Sequence, residues 1–197
     1  MIGFKSKMDV STPEEIFSEI NNRFIGAIMM HGQFADYFDF LGLRGYKHLH
    51  EYQHLAESIE RRKVCRYYIN HHNALIKEGF SGEVNVIPDA WYTAKRLSVG
   101  KSTKQKAVED GFLEYHNWES ETKSVYEKYV QKLRETGSVA DAIFAEKLVE
   151  DVSTELQTVE RMISDLISTG YDMVYITENQ SEIHEKYKKK LKGIEVE

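Results

Sequence analysis

Tyr37-Phe38-Asp39-Phe40-Leu41-Gly42-Leu43-Arg44-Gly45-Tyr46 closes one long run of helical spacing and opens another. Two glycines this close favour a turn over continued helix. Upstream, Thr12-Pro13-Glu14-Glu15 supplies a cap residue, a proline at the first helical position and a carboxylate three residues after the cap, a strong helix start. Ile16, Ile20, Phe24, Ala27, Ile28, His31, Phe34 and Phe38 then recur at helical spacing, so the pattern predicts a helix from residue 13 to about residue 40. Downstream, a second helix is expected from Arg44 to about Ile76. Its inward stripe reads Leu49, Gln53, Ala56, Glu60, Val64, Tyr67 and His71. Carboxylates inside a stripe that should be apolar are the first chemical clue.

After Gly79, the stretch from Phe80 to Pro88 alternates apolar and polar residues and reads as the start of a long crossover. A third helix is predicted from Ser102 or Lys104 to about Thr136, with Phe112, Tyr115, Glu119, Tyr126, Tyr129 and Leu133 on one stripe. Gly137 ends it, and Ser138 can cap a fourth that runs to about Ser168 through Phe144, Leu148, Val152, Val159, Met162 and Leu166. Gly170 stops that helix. A last short helix over about 179–190 carries Ile183 and Tyr187. Helices this long, about 40 Å each at 1.5 Å per residue, need partners along their whole length. Short turns after the first and third make antiparallel hairpins, and the long middle connection lets the second hairpin cross over. The expectation is one all-α domain over 1–197, a four-helix up-down-down-up bundle over about 13–168 with a short fifth helix.

Composition narrows the function classes. A chain 41% hydrophobic and 29% charged, of 197 residues, can bury a core without disulfides or a structural metal. No apolar run is long enough to cross a bilayer, and the segment MIGFKSKMDV lacks the features of a secretory signal; a cytoplasmic location is the expectation. The net charge of −6 argues against a general nucleic-acid binder, which needs Lys and Arg to displace counterions. The basic stretches Lys95 to Lys106 and Lys186 to Lys192 read as solvated surface. Gly100-Lys101-Ser102 lacks the leading glycine of a phosphate-binding loop and a strand before it. Cys65, without a second cysteine, reads as a small buried thiol.

The order and spacing of these signals resemble the non-haem ferritins over nearly the whole chain. The turn Tyr37 to Tyr46 is similar to that family's turn between its first two helices. Glu83-Val84-Asn85-Val86-Ile87-Pro88 with Trp91 is similar to its long loop, and Gly170-Tyr171-Asp172-Met173-Val174-Tyr175-Ile176 resembles the approach to its fifth helix. The resemblance implies a ferritin-like bundle, a homo-oligomer, iron as the metal partner and a di-iron site with ferroxidase chemistry. Hard ferric iron wants oxygen ligands and an imidazole, and carboxylates can move between terminal and bridging positions as iron is oxidised. Mapped from the turns, that site implies Glu57 and Glu60 from the second helix, Glu119 from the third, and Asp151 and Glu155 from the fourth. Tyr126 or Tyr67 would be the nearby phenol.

Two positions depart from the pattern. Phe24 stands where the family has its first-helix glutamate, and Glu60 where it has histidine. Glu19 lies about 140° round the helix from Phe24, and His31 about 10 Å along it, so neither is expected at the site. Glu51 and His54 form a second Glu-x-x-His, almost two turns before the family position. His50 and His54 are i, i+4 neighbours able to bind zinc, while His71 and His72 read as partners of helix-end carbonyls. Carboxylates left together in a bundle interior cost on the order of several kcal/mol each. They therefore hold a cation, are neutralised by Arg61, Arg62 or Lys123, or face solvent. The function classes that follow are an iron-handling protein, an assembly or interaction protein that kept the fold and lost oxidation, and a DNA-coating stress protein.

Overall fold

A computed structural model describes residues 5–96 and 99–194. Helix α1 (Pro13–Phe40) starts as its sequence requires. The Thr12 side chain accepts from the Glu15 N–H while the Glu15 carboxylate accepts from the Thr12 N–H, so two otherwise orphaned donors are satisfied. The helix stops at Gly42, whose φ of 74° a residue with a side chain adopts at a cost. The Gly42 N–H reaches Asp39 O and the Leu43 N–H reaches Phe38 O, which ties off the last carbonyls and turns the chain. Gly137 and Gly170 end the later helices by the same two-bond pattern.

Helix α2 (Arg44–His72) runs back along α1. It ends four residues before the expected Ile76, because Asn73 takes the left-handed conformation at φ 51° and closes the helix on Ile69 O. The crossover that follows is extended at Val84 to Val86, both buried. The Gln33 amide of α1 binds it like a strand edge, donating to Val84 O and accepting from the Val86 N–H. A 3-10 turn, Asp89–Trp91, lies in the crossover before α3 (Lys101–Glu135), which pairs with α4 (Val139–Ser168). Lys101 opens α3, so Gly100-Lys101-Ser102 is a helix start, not a phosphate loop.

The fifth helix, α5 (Met173–Ile194), is longer than the expected 179–190. Asp172 caps it, its carboxylate accepting from the Val174 N–H, and Ile176, Ile183 and Tyr187 pack it along α2. The backbones come so close that a Cβ on Gly45 would lie 1.8 Å from Gln180 O. Among the described residues no helix is long and apolar enough to cross a membrane.

The apolar core falls into two bodies. One gathers Phe34, Phe38, Tyr46, Phe112, Tyr115 and Leu166 toward the α1–α2 turn. The other gathers Phe17, Ile20, Phe24, Tyr126, Tyr129 and Leu133 toward the start of α1. A polar layer lies between them, and there the bundle places its chemistry.

Candidate metal centre

The polar layer surrounds a cavity of about 70 Å³ lined by Arg23 and Phe24 of α1, Glu57 and Glu60 of α2, Trp118, Glu119, Thr122 and Tyr126 of α3, and Asp151 and Glu155 of α4. All five acidic residues expected at a site therefore share one wall-to-wall space, but they are not equivalent. Glu119 is 2% exposed, Glu57 and Glu155 are half-buried, and Asp151 is exposed. Glu60 pairs with Lys63. Glu60 and Asp151 thus line the cavity from its wet side, while Glu57, Glu119 and Glu155 form its interior.

These three carboxyls titrate as groups taken out of water. Burial pushes Glu57 well above the usual carboxylate range, and the charges of Glu155 and Glu60 push it further. Burial does the same to Glu119, aided by Glu155 and Glu57 and opposed by Arg23. Burial also raises Glu155, although the hydroxyl of Tyr115 donates to it and pulls the other way. Low dielectric and like charge both favour the protonated form.

Arg23 is the cation closest to this group, and the sequence pattern gave no reason to single it out. Its guanidinium is 1% exposed and stacks over the Trp118 ring at 4.1 Å. It donates to Thr122 Oγ1 at 2.7 Å and to Trp118 O at 3.0 Å, and lies 3.5 Å from Glu121. Its hydrogen bonds thus go to groups other than the three interior carboxyls, and it counters the charge of Glu119 only through space. The expected neutralisers are placed elsewhere: Arg61 binds Asn21 and Glu78, Lys123 lies beside Glu127, and Arg62 is exposed.

His31 corrects the sequence expectation most. Counted along α1 it stands two turns from Phe24, yet a ring nitrogen of His31 and carboxylate oxygens of Glu119 and Glu155 all lie within 4.8 Å of one another. Helical side chains lean toward the N-terminus, and α3 and α4 run past α1, so distance along one helix does not measure distance to the others. His31 is fully buried, and burial, followed by the neighbouring His50 and His54, holds it well below its usual value, hence neutral. Its Nδ1 meets His50 Nδ1 at 2.9 Å, while its Nε2 is buried with no partner. Glu119 Oε1 is likewise buried with no partner. Two residues of this cluster, a neutral imidazole and a carboxylate, thus each carry a buried atom without a partner, which fits a divalent cation.

The remaining candidates disperse. His54 Nδ1 meets Ile28 O, and Glu51 binds His48 and Lys47, so this second Glu-x-x-His forms no shared site. His50 pairs with His31 and not with His54. Tyr67 donates to Asp141 at 3.0 Å, outside the cavity; Tyr115 is the phenol that touches the site, and Tyr126 lines it. Gln53 donates to Glu155 Oε1 beside Tyr115. The Cys65 thiol is half-buried and burial raises its pKa, as suits an inert side chain.

No family model and no curated protein matches the chain. Solved structures do. An engineered closed form of the Archaeoglobus fulgidus ferritin superposes with a TM-score of 0.70 at 16% identity, over 92% of this chain and 96% of that one. The open-pore ferritin of the same hyperthermophilic archaeon gives 0.71 at 16% identity, over 90% and 98%. A humanized archaeal ferritin gives 0.70 at 17%, over 92% and 97%. The chain has the ferritin fold, at a sequence distance where likeness speaks for the fold alone.

Proposed function

We propose that this ferritin-fold chain binds iron in the polar layer of its bundle and oxidises it, with ferrous iron as the substrate. One observation carries the reading: glutamates from three helices turn into one small cavity, and beside them His31 Nε2 and Glu119 Oε1 are buried without partners. Leaving such groups unpaired costs about 1–3 kcal/mol each, which a bound cation would return.

In this reading Glu119 is the central ligand, flanked by Glu57 and Glu155, with His31 as the nitrogen donor. A cation on His31 Nε2 requires that ring to donate its Nδ1–H to His50 Nδ1, which fixes the tautomers of both. Gln53 and Tyr115 hold Glu155 Oε1, and Glu60 with Asp151 offers charge on the route in. Carboxyls that hold protons in the metal-free protein release them as the cation enters. Two ferrous ions give one electron each to dioxygen, which takes up two protons and leaves as hydrogen peroxide. Phe24 in place of a first-helix carboxylate displaces binding toward His31 and weakens one iron position. We further propose a homo-oligomer, with the exposed α2 face of Ile59, Arg62, Arg66 and Ile69 as a contact.

The rival reading, a ferritin-fold assembly protein without oxidation, draws support from Arg23, which supplies one positive charge to the same cavity. Mixing metal-free protein with ferrous iron in air separates the two. The oxidation reading expects ferric absorbance to rise faster than in buffer and iron to stay with the protein through desalting. No added rate together with no retained iron would leave the rival standing.

A further inference from the structure

A second cluster lies at the far end of the bundle, about 21 Å along α4 from Glu155 at 1.5 Å per residue. His71 and His72 occupy the last turn of α2, and Asp141 the first turn of α4. His72 Nε2 lies 2.9 Å from Asp141 Oδ1, and the Tyr67 hydroxyl donates to the same oxygen at 3.0 Å. One ligand atom from each of His71, His72 and Asp141 falls within 4.8 Å of the others. We propose that these three residues form a zinc-type site that staples the end of α2 to the start of α4.

Three features argue for a metal over a plain His–Asp pair. Asp141 is 2% exposed, and among the described residues it pairs with no lysine or arginine, only with His72. The second imidazole is not needed for that pair, yet it is held on the same side. The His71 ring stacks on Tyr67 at 5.4 Å and meets His72 edge-on at 5.0 Å. Tyr67 therefore does two things, orienting the carboxylate through its hydroxyl and seating His71 with its face, as outer partners of metal ligands do.

Two imidazoles and one carboxylate suit Zn²⁺ and its neighbours in the divalent series, and not Mg²⁺ or Ca²⁺, which take oxygen ligands. Bonds of about 2.0–2.1 Å in a tetrahedron put ligand atoms about 3.3 Å apart. His71 is exposed, so a small rotation of its ring against Tyr67 closes the remaining distance, and water from the open side would fill the fourth position. The site owes nothing to the iron reading, since it shares no residue with the core cavity.

The test is a difference between the full chain and its H71A variant. Removing an exposed ring leaves the fold in place, which thermal unfolding in chelator verifies. Zn²⁺ is titrated by calorimetry, and Co²⁺ is added separately as a probe of tetrahedral coordination by its visible absorbance. The parent is expected to bind one more equivalent than H71A, or the same equivalent at least about tenfold more tightly, and the tetrahedral cobalt band is expected to fall in H71A. D141N, which keeps an acceptor for Tyr67, is expected to lose the same equivalent. Identical titrations for parent and H71A would overturn the proposal, whatever the core cavity binds.

Discussion

In the proposed reading, the single buried carboxyl of Glu119 couples metal binding to stability. Its folded-state pKa is raised above the ordinary 4.5 by burial and by Glu155 and Glu57. The folded chain then holds a proton that the unfolded chain has released. Its contribution favours folding less and less as pH rises from 4.5 through the folded pKa. Glu119→Gln removes that slope, so the metal-free variant should unfold at higher temperature than the parent near neutral pH and show no advantage at pH 4. The same variant should retain at least about tenfold less iron after desalting. His31→Gln is expected to weaken iron retention by a similar factor while leaving Glu57, Glu119 and Glu155 in place, and an unchanged affinity would remove His31 from the ligand set. Phe24 is 7% exposed on the cavity wall. Phe24→Glu should cost about 3 kcal/mol or more in the metal-free state and raise iron retention, both read from one sample by unfolding with and without ferrous iron under anaerobic conditions.

Among the helices, α5 depends most on one small residue. The Gly45 N–H donates to Gln180 Oε1 at 3.1 Å and the Tyr46 hydroxyl to Asn179 Oδ1 at 3.1 Å, so α5 is hydrogen-bonded to the first turn of α2 as well as packed on it. Gly45→Ala pushes a methyl group into the Gln180 carbonyl. Overpacking of this kind costs about 1–3 kcal/mol, and the strain should appear as faster amide exchange across α5, with slower change in α1. Gly79→Ala is the matched control, because nothing lies within 4 Å of a Cβ there. The boundaries of the five helices divide in a similar way. Thr12, Gly42, Gly137 and Gly170 set their ends locally and are readable from composition. Asn73 in the left-handed region and Asp172 as a cap are equally local signals, but asparagine and aspartate also occur mid-helix and in loops, so sequence alone gave them no priority.

Taken together, the bundle holds two apolar bodies separated by a layer of acidic side chains, which in the proposed reading a cation completes. Metal-free protein should lose stability from mildly acidic toward neutral pH, because three interior carboxyls have raised pKa values. Cation affinity should rise over the same range, because entry displaces those protons. At a cation concentration of 100 times Kd the stabilisation is about 2.7 kcal/mol. Unfolding at two pH values, with and without ferrous iron in the absence of air, checks both signs. A protein equally stable at both pH values with and without iron would contradict the charged-layer account. Sedimentation tests the proposed self-association, with Ile59→Lys expected to shift the parent's distribution toward smaller species.

The order of helices, the two hairpins and the crossover were legible in the sequence, because each depends on periodicity and turn chemistry that act over a few residues; Glu57, Glu119 and Glu155 were named as a site only through the family resemblance, since the periodic stripe of α2 runs through Glu60 and not Glu57. His31, Arg23 and Tyr115 became neighbours of those carboxyls only in the folded bundle. Their positions depend on where neighbouring helices pass one another and on the tilt of each side chain, and no spacing along one helix encodes that. The split of one apparent cluster of acids into three interior groups and two at the rim was decided in the same way, by which side of each helix its neighbours cover.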